Sequence, residues 1–237
     1  MKILKSLICA VAVVSFAGAA LANSYTFTTP GGSVDSAGDP VNASASFTTG
    51  NGTLSISLSN LLVNQKDVGQ NISDLFFTLS SNSTSGTIGT DGPDPLVNVD
   101  ASGNASSGGT GAAGWNLTFN AVTGFHLDGL NGATSTPAHT ILGAPGPGGT
   151  YSNANGSIAG NSPHNPFINQ TATWTLNIAG VSSTTAVTSA TFSFGTTSGN
   201  NVPGTPNIPN VPDGGSTLTL LGAALGGLGL VRRFVRR

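Results

Sequence analysis

The sequence predicts an all-β protein: a single antiparallel β-sandwich or jelly-roll-like domain over residues 23–198, with an N-terminal signal peptide before it and a C-terminal hydrophobic helix after it. Three observations carry this. Apolar residues alternate with Ser, Thr and Asn at a period of two in several runs, the pattern of strands with one buried face. Clusters of Gly and Asn separate these runs and supply the positive-φ positions that hairpins need. No segment between the ends has a convincing 3.6-residue period, although residues 65–75 have room for a helical turn.

The first 22 residues read as a signal peptide. Lys2 and Lys5 make a basic start, Leu7 to Phe16 is apolar apart from Ser15, and Ala20-Leu21-Ala22 is an A-x-A cleavage site, so the mature chain starts near Asn23. Cys9 lies in the apolar part of that peptide, preceded by Ile8 where a lipoprotein signal would carry a small residue. With it removed the mature chain has no cysteine, which excludes disulfides, thiol catalysis and Cys-zinc sites.

The strands follow. Tyr25 and Phe27 alternate with polar neighbours, as do Leu54, Ile56 and Leu58; Trp115, Leu117 and Phe119; Ala172, Trp174, Leu176 and Ile178; and Ala190, Phe192 and Phe194. Leu75-Phe76-Phe77-Thr78-Leu79 is denser and fits a central strand. Residues 84–114 and 133–160 are turn-rich and are expected to be long surface loops. Past Ser198, residues 199–210 turn Gly-, Asn- and Pro-rich. Pro203, Pro206, Pro209 and Pro212 recur every third residue, the repeat of a polyproline II spacer about 28 Å long.

Residues 211–237 form the last unit. Val211-Pro212-Asp213-Gly214-Gly215-Ser216 precedes a charge-free run to Val231, and Arg232, Arg233, Arg236 and Arg237 close the chain. Sixteen residues of helix rise about 24 Å, short against a hydrocarbon core of about 30 Å, so the arginines and Phe234-Val235 would cover the difference. The arginines fix the C-terminus in the cytoplasm by the positive-inside rule.

These three parts in order resemble the VPDSG-CTERM class of bacterial sorting signals, a sister of the PEP-CTERM signals. Gly214 stands where that class often has Ser, and the carboxylate is Asp213 where the PEP form has Glu. The resemblance implies recognition by an exosortase, a membrane-embedded cysteine transpeptidase that cuts near the motif and passes the protein to the cell surface or extracellular matrix. The partners it implies are the Sec translocon and signal peptidase, the membrane through the C-terminal helix, and that exosortase.

Charge excludes another class. The chain has seven Lys and Arg, of which Lys66 alone lies between Asn23 and Asn210. Against it stand Asp35, Asp39, Asp67, Asp74, Asp91, Asp94, Asp100 and Asp128, so one lysine against eight aspartates leaves minus seven on the domain. Nucleic acid is not an expected partner, because displacing counterions takes several Lys and Arg.

Chemistry-bearing motifs are few. There is no G-x-S-x-G elbow, no H-E-x-x-H, no Gly-rich loop ending in Lys and no Glu. Phe125-His126-Leu127-Asp128 puts a His and a carboxylate on one face of a strand, a pattern weighed as a metal or catalytic pair and read as a strand end with a solvated His. Ser162-Pro163-His164-Asn165-Pro166-Phe167 is a rigid turn, read as a corner with Phe167 in the core. Asp91, Asp94 and Asp100 offer carboxylates to calcium but lack EF-hand spacing, and the reading is a solvated acidic turn with no metal and no cofactor. The expectation is a secreted, exosortase-sorted surface or matrix protein, structural or adhesive and without enzymatic activity. The alternative is a carbohydrate-binding module with extracellular polysaccharide as its partner. For that reading only Trp115, Trp174, Tyr25 and Tyr151 supply rings beyond the phenylalanines, and both tryptophans fall on the apolar side of their strands.

Overall fold

The structure, a computed structural model, describes residues 22–131, 138–161 and 164–207 together with Gly222. In chain order the strands are β1 (Ser24–Thr28), β2 (Ala43–Thr49), β3 (Thr53–Asn60), β4 (Ile72–Leu79), β5 (Thr87–Asp91), β6 (Asp94–Val99), β7 (Ala105–Gly111) and β8 (Asn116–Asn120). There follow β9 (Gly124–Asp128), β10 (Ile141–Leu142), β11 (Phe167–Asn169), β12 (Thr171–Asn177), β13 (Val187–Phe194), β14 (Asn201–Pro203) and β15 (Thr205–Asn207). The expected helical turn is a single 3₁₀ turn, Val68–Gln70, closed by an Asp67 capping box. Among the described residues no helix is long and apolar enough to cross a membrane.

The strands form two sheets. One has the order β15-β1-β2-β3-β12-β5; the other runs β14-β13-β4-β10-β11-β6-β7, with β9 also on β4 and β8 on β9. The apolar members of the predicted alternations face inward. Leu54, Ile56 and Leu58 of β3 lie beside Ala172, Trp174 and Leu176 of β12 in register and are all buried. The layers meet at Phe47 of β2 and Phe77 of β4, whose ring centroids are 5.5 Å apart. A core shared by the inner faces of both sheets is the arrangement of a β-sandwich.

The second sheet forks. β4 meets β10 at Ile72 and β9 from Asp74 to Phe77, so one edge of one strand serves two partners. Beyond the fork a smaller apolar cluster, Val97, Val99, Leu142, Tyr151, Ile158 and Phe167, lies apart from the main core.

Four expectations need correction. Residues 84–114 are not one surface loop: they contain β5, β6 and β7, whose Gly-rich sequence, as in Ala105-Ser-Ser-Gly-Gly-Thr-Gly111, hides the alternation. The loop expected over 133–160, in its described part, holds β10 and buries Tyr151 and Ile158. The sheets are not purely antiparallel, because β10 and β11 pair parallel.

The fourth correction concerns the spacer over 199–210. Its described part makes β14 against β13 and β15 against β1, so a single stretch of chain adds an edge strand to each sheet. Pro203 and Pro206 are tolerated because edge strands leave amides unpaired. Gly204 carries the chain from one sheet to the other: a Cβ there would lie 2.9 Å from Phe192 Cε2 and 3.1 Å from the Ala190 carbonyl oxygen.

Candidate functional site

The first and last described strands are neighbours: Asn207 of β15 lies opposite Thr26 of β1. Ala22 is exposed. The cleavage residue Ala20, the motif Val211 to Ser216 and the arginines Arg232, Arg233, Arg236 and Arg237 lie outside the described residues.

The three aspartates weighed for calcium each serve the backbone. Asp91 accepts from the amides of Ala113 at 2.9 Å and Gly114 at 2.8 Å. Asp94 is buried and accepts from the Thr173 hydroxyl at 2.8 Å and the Thr173 amide at 3.1 Å. Burial raises its carboxyl above the ordinary range, opposed by those two bonds and assisted by the charge of Asp91. Asp100 closes its own turn through the amides of Ser102 and Asn104 and the Asn104 side chain, which holds its carboxyl below the ordinary value. The picture of a solvated acidic turn therefore fits Asp100 and fails for Asp94, which pins β6 to β12 across the sheets.

His126 is not the solvated strand end expected for it. Its side chain is only 19% exposed and lies flat on Phe76, ring centroids 3.9 Å apart at 12°. It shares the outer face of the forked sheet with Asp128, two residues on, and with Asp74 of β4, which stands opposite Asp128. Nε2 is 3.6 Å from Asp74 Oδ1, and Nδ1 is 3.9 Å from Asp128 Oδ2. The Gly129 amide donates to Asp74 Oδ1, and the amides of Leu130 and Asn131 donate to Asp128 Oδ1. Sequence reasoning passed over Asp74. Its signal was a lone carboxylate opening the apolar run Leu75-Phe76-Phe77.

The described part of the proline-flanked corner behaves as read, with Phe167 fully buried. Asn165 bonds both backbone groups of Val99, its Oδ1 accepting from the amide at 3.0 Å and its Nδ2 donating to the carbonyl at 2.6 Å. His164 has a buried Nδ1 without a hydrogen-bond partner, and burial holds its imidazole below the ordinary value. The unfolded chain therefore takes up this proton at a higher pH than the folded one. The stability tied to it is complete above about pH 6.5 and is lost as pH falls from there through the depressed folded value. His164→Gln is expected to flatten that limb in urea unfolding followed from about pH 7 down to about pH 5; superimposable curves for the two proteins would refute it.

The rings weighed as a glycan platform are interior. Trp115, Trp174 and Tyr151 are all buried, and Tyr25 is partly buried. The Tyr151 hydroxyl donates to the Gly143 carbonyl at 2.8 Å.

Residues 210–233 match the family model of the VPDSG-CTERM motif. The tail carries a PEP-CTERM-like sorting tag. The tag implies a secreted, surface-targeted protein that is exported through the membrane and processed there by an exosortase-like enzyme before surface display. It covers the tail alone and leaves the role of the β domain open to other arguments. No curated protein and no solved structure matches the chain.

Proposed function

We propose that this is a non-enzymatic surface or extracellular-matrix protein, structural or adhesive in role, whose β-sandwich is exported by the Sec route, held briefly by its C-terminal segment and then cut free of it by an exosortase. The observation that carries the reading is the VPDSG-CTERM match at residues 210–233. The fold adds a geometric argument. The match begins three positions after Asn207, the last residue of β15, so four residue steps separate Asn207 from Val211. Four steps span at most about 14 Å. The enzyme would therefore work against the end of the sandwich where β1 starts, half as far from the fold as a polyproline spacer would have held it.

Deleting Val211 to Arg237 is expected to release the domain in soluble form, measured by fractionating cells and medium. Retention at the surface equal to that of the full chain would overturn the proposal. Mass spectrometry of the mature C-terminus complements this: an end within or beside 211–216 supports transient anchoring, and an intact Arg237 contradicts it.

A further inference from the structure

Asp74 and Asp128 present a charge problem that the described structure leaves open. Their side chains are only 3% and 7% exposed, and they face each other on adjacent strands. Two carboxylates withdrawn from water are met here by the amides of Gly129, Leu130 and Asn131, neutral donors to which a cation would add charge compensation. Lys66 is the one Lys or Arg in residues 23–210, and it is held by Asp39 at 2.8 Å. His126 is the group left facing them. A dication held by the imidazole and both carboxylates would cancel both charges.

The distances are not those of an imidazole hydrogen-bonded to its carboxylates, and a single ion would use one ring nitrogen. Separations of 3.6 Å from Nε2 to Asp74 Oδ1 and 3.9 Å from Nδ1 to Asp128 Oδ2 are too long for N–H···O bonds, which run about 2.7–3.2 Å. Nε2 is buried with no hydrogen-bond partner. Two atoms each about 2.1 Å from a zinc ion in tetrahedral geometry stand about 3.4 Å apart, close to the Nε2 to Asp74 spacing. One ligand atom from each of Asp74, His126 and Asp128 lies within 4.8 Å of the other two.

A separate observation comes from β13. Ser193 stands opposite Asp74, is 1% exposed, and has a buried Oγ without a partner. Residues opposite each other on neighbouring strands project to the same face, so Ser193 stands beside Asp74 with its hydroxyl unused, while the hydroxyl that donates to Asp74 Oδ2 is that of Ser73, at 3.4 Å. Phe76 fixes the plane of the imidazole, and the amides of Gly129, Leu130 and Asn131 fix the carboxylates. The partial exposure of His126 gives an ion a way in.

We infer that Asp74, His126 and Asp128 form a site for a zinc-type transition-metal dication that clamps β4 to β9 at the fork of the sheet. One imidazole nitrogen with two carboxylate oxygens suits such a metal better than calcium or magnesium, which take all-oxygen sets. The other acidic group, Asp35, Asp39 and Asp67, is all oxygen and has Lys66 within it, so it offers no comparable case.

The test uses the mature full-length chain without an affinity tag, stripped with chelator and titrated with Zn²⁺ by calorimetry. Zinc content is then measured after gel filtration. One zinc per chain at micromolar or tighter affinity is expected, retained against millimolar Ca²⁺. His126→Gln and Asp74→Asn should each weaken binding at least about 100-fold, while Asp67→Asn leaves it unchanged. Histidine ¹⁵N resonances of the wild-type chain provide a readout that needs no variant to fold: zinc should move His126 and leave His139 and His164 in place. Absence of saturable binding, displacement by Ca²⁺, or a zinc response at a different histidine would each overturn the assignment.

Discussion

Trp115→Ala is expected to cost the domain about 3–5 kcal/mol, a large part of the about 5–15 kcal/mol that holds a folded domain together. Trp115 is fully buried just before β8, packed on Trp174 with ring centroids 5.0 Å apart at 39°. Its indole N–H donates to the His139 carbonyl at 2.9 Å. Gly129, which follows β9, is drawn against it so closely that a Cβ there would lie 2.8 Å from Trp115 Cε2. Alanine would leave a void between the sheets and a carbonyl without its donor, and neither neighbour can close inward without moving a strand. Trp174 provides a contrast within the same pair. It is 2% exposed, but its Nε1 is buried with no partner. Phenylalanine at 174 removes an unsatisfied donor, whereas phenylalanine at 115 breaks a hydrogen bond. The expected result is that Trp115→Phe loses about 1–2 kcal/mol more than Trp174→Phe, read from urea midpoints at unchanged slope. Equal losses for the two variants, or a Trp115→Ala cost below about 1 kcal/mol, would contradict this account.

The strands that announced themselves were those whose inward residues are large. β3 and β12 alternate Leu, Ile or Trp with Ser and Thr, and both have the predicted face buried. β2 has the same alternation, but its inward residues are Ala43, Ala45, Phe47 and Thr49, and alanine is a weak strand signal although all four are buried here. β7 has hardly any side chain to read. The Pro-rich stretch after Ser198 carried a real local signal, since its spacing suits an extended chain; two sheet edges that only the finished fold supplies turn that extended chain into β14 and β15. The same limit applies to the cluster at the fork. His126 and Asp128 are two apart and legible as a pair, whereas Asp74 is brought to them by β4–β9 pairing across some fifty residues. The sorting tag lies at the other extreme: its meaning is local, so it was readable without any fold.

The largest feature with no trace in the sequence is a buried amide network at the end of β3, and it gives the second large effect. Asn60→Leu is expected to destabilise the domain by about 3 kcal/mol although leucine matches asparagine in size and is more apolar. Asn60 is 2% exposed. Its Nδ2 donates to the Gln70 carbonyl at 2.9 Å and the Ile141 carbonyl at 3.0 Å, with a longer contact to Gln65 Oε1 at 3.3 Å, and its Oδ1 accepts from the Leu62 amide at 3.1 Å. One side chain thus joins β3 of the first sheet to β10 of the second and to the 3₁₀ turn between β3 and β4. Gln65 continues the network, taking the Gly143 amide on Oε1 and donating from Nε2 to Asn71 Oδ1, and Asn71 donates to Thr140 Oγ1 at 2.9 Å. Leucine would strand two buried carbonyls, each at about 1–3 kcal/mol, and take the acceptor from the part-buried Leu62 amide, and its own burial offsets only part of that. Thr140→Val, at the far end of the chain of bonds, should cost about 1 kcal/mol by orphaning one amide group. Ser46→Ala, at a part-exposed hydroxyl pair with Thr26, should stay within about 0.5 kcal/mol. Urea unfolding of the three variants tests the order. A neutral Asn60→Leu would mean that apolar packing alone holds the two sheets together at this end, and that the amides only fill space the core has already closed.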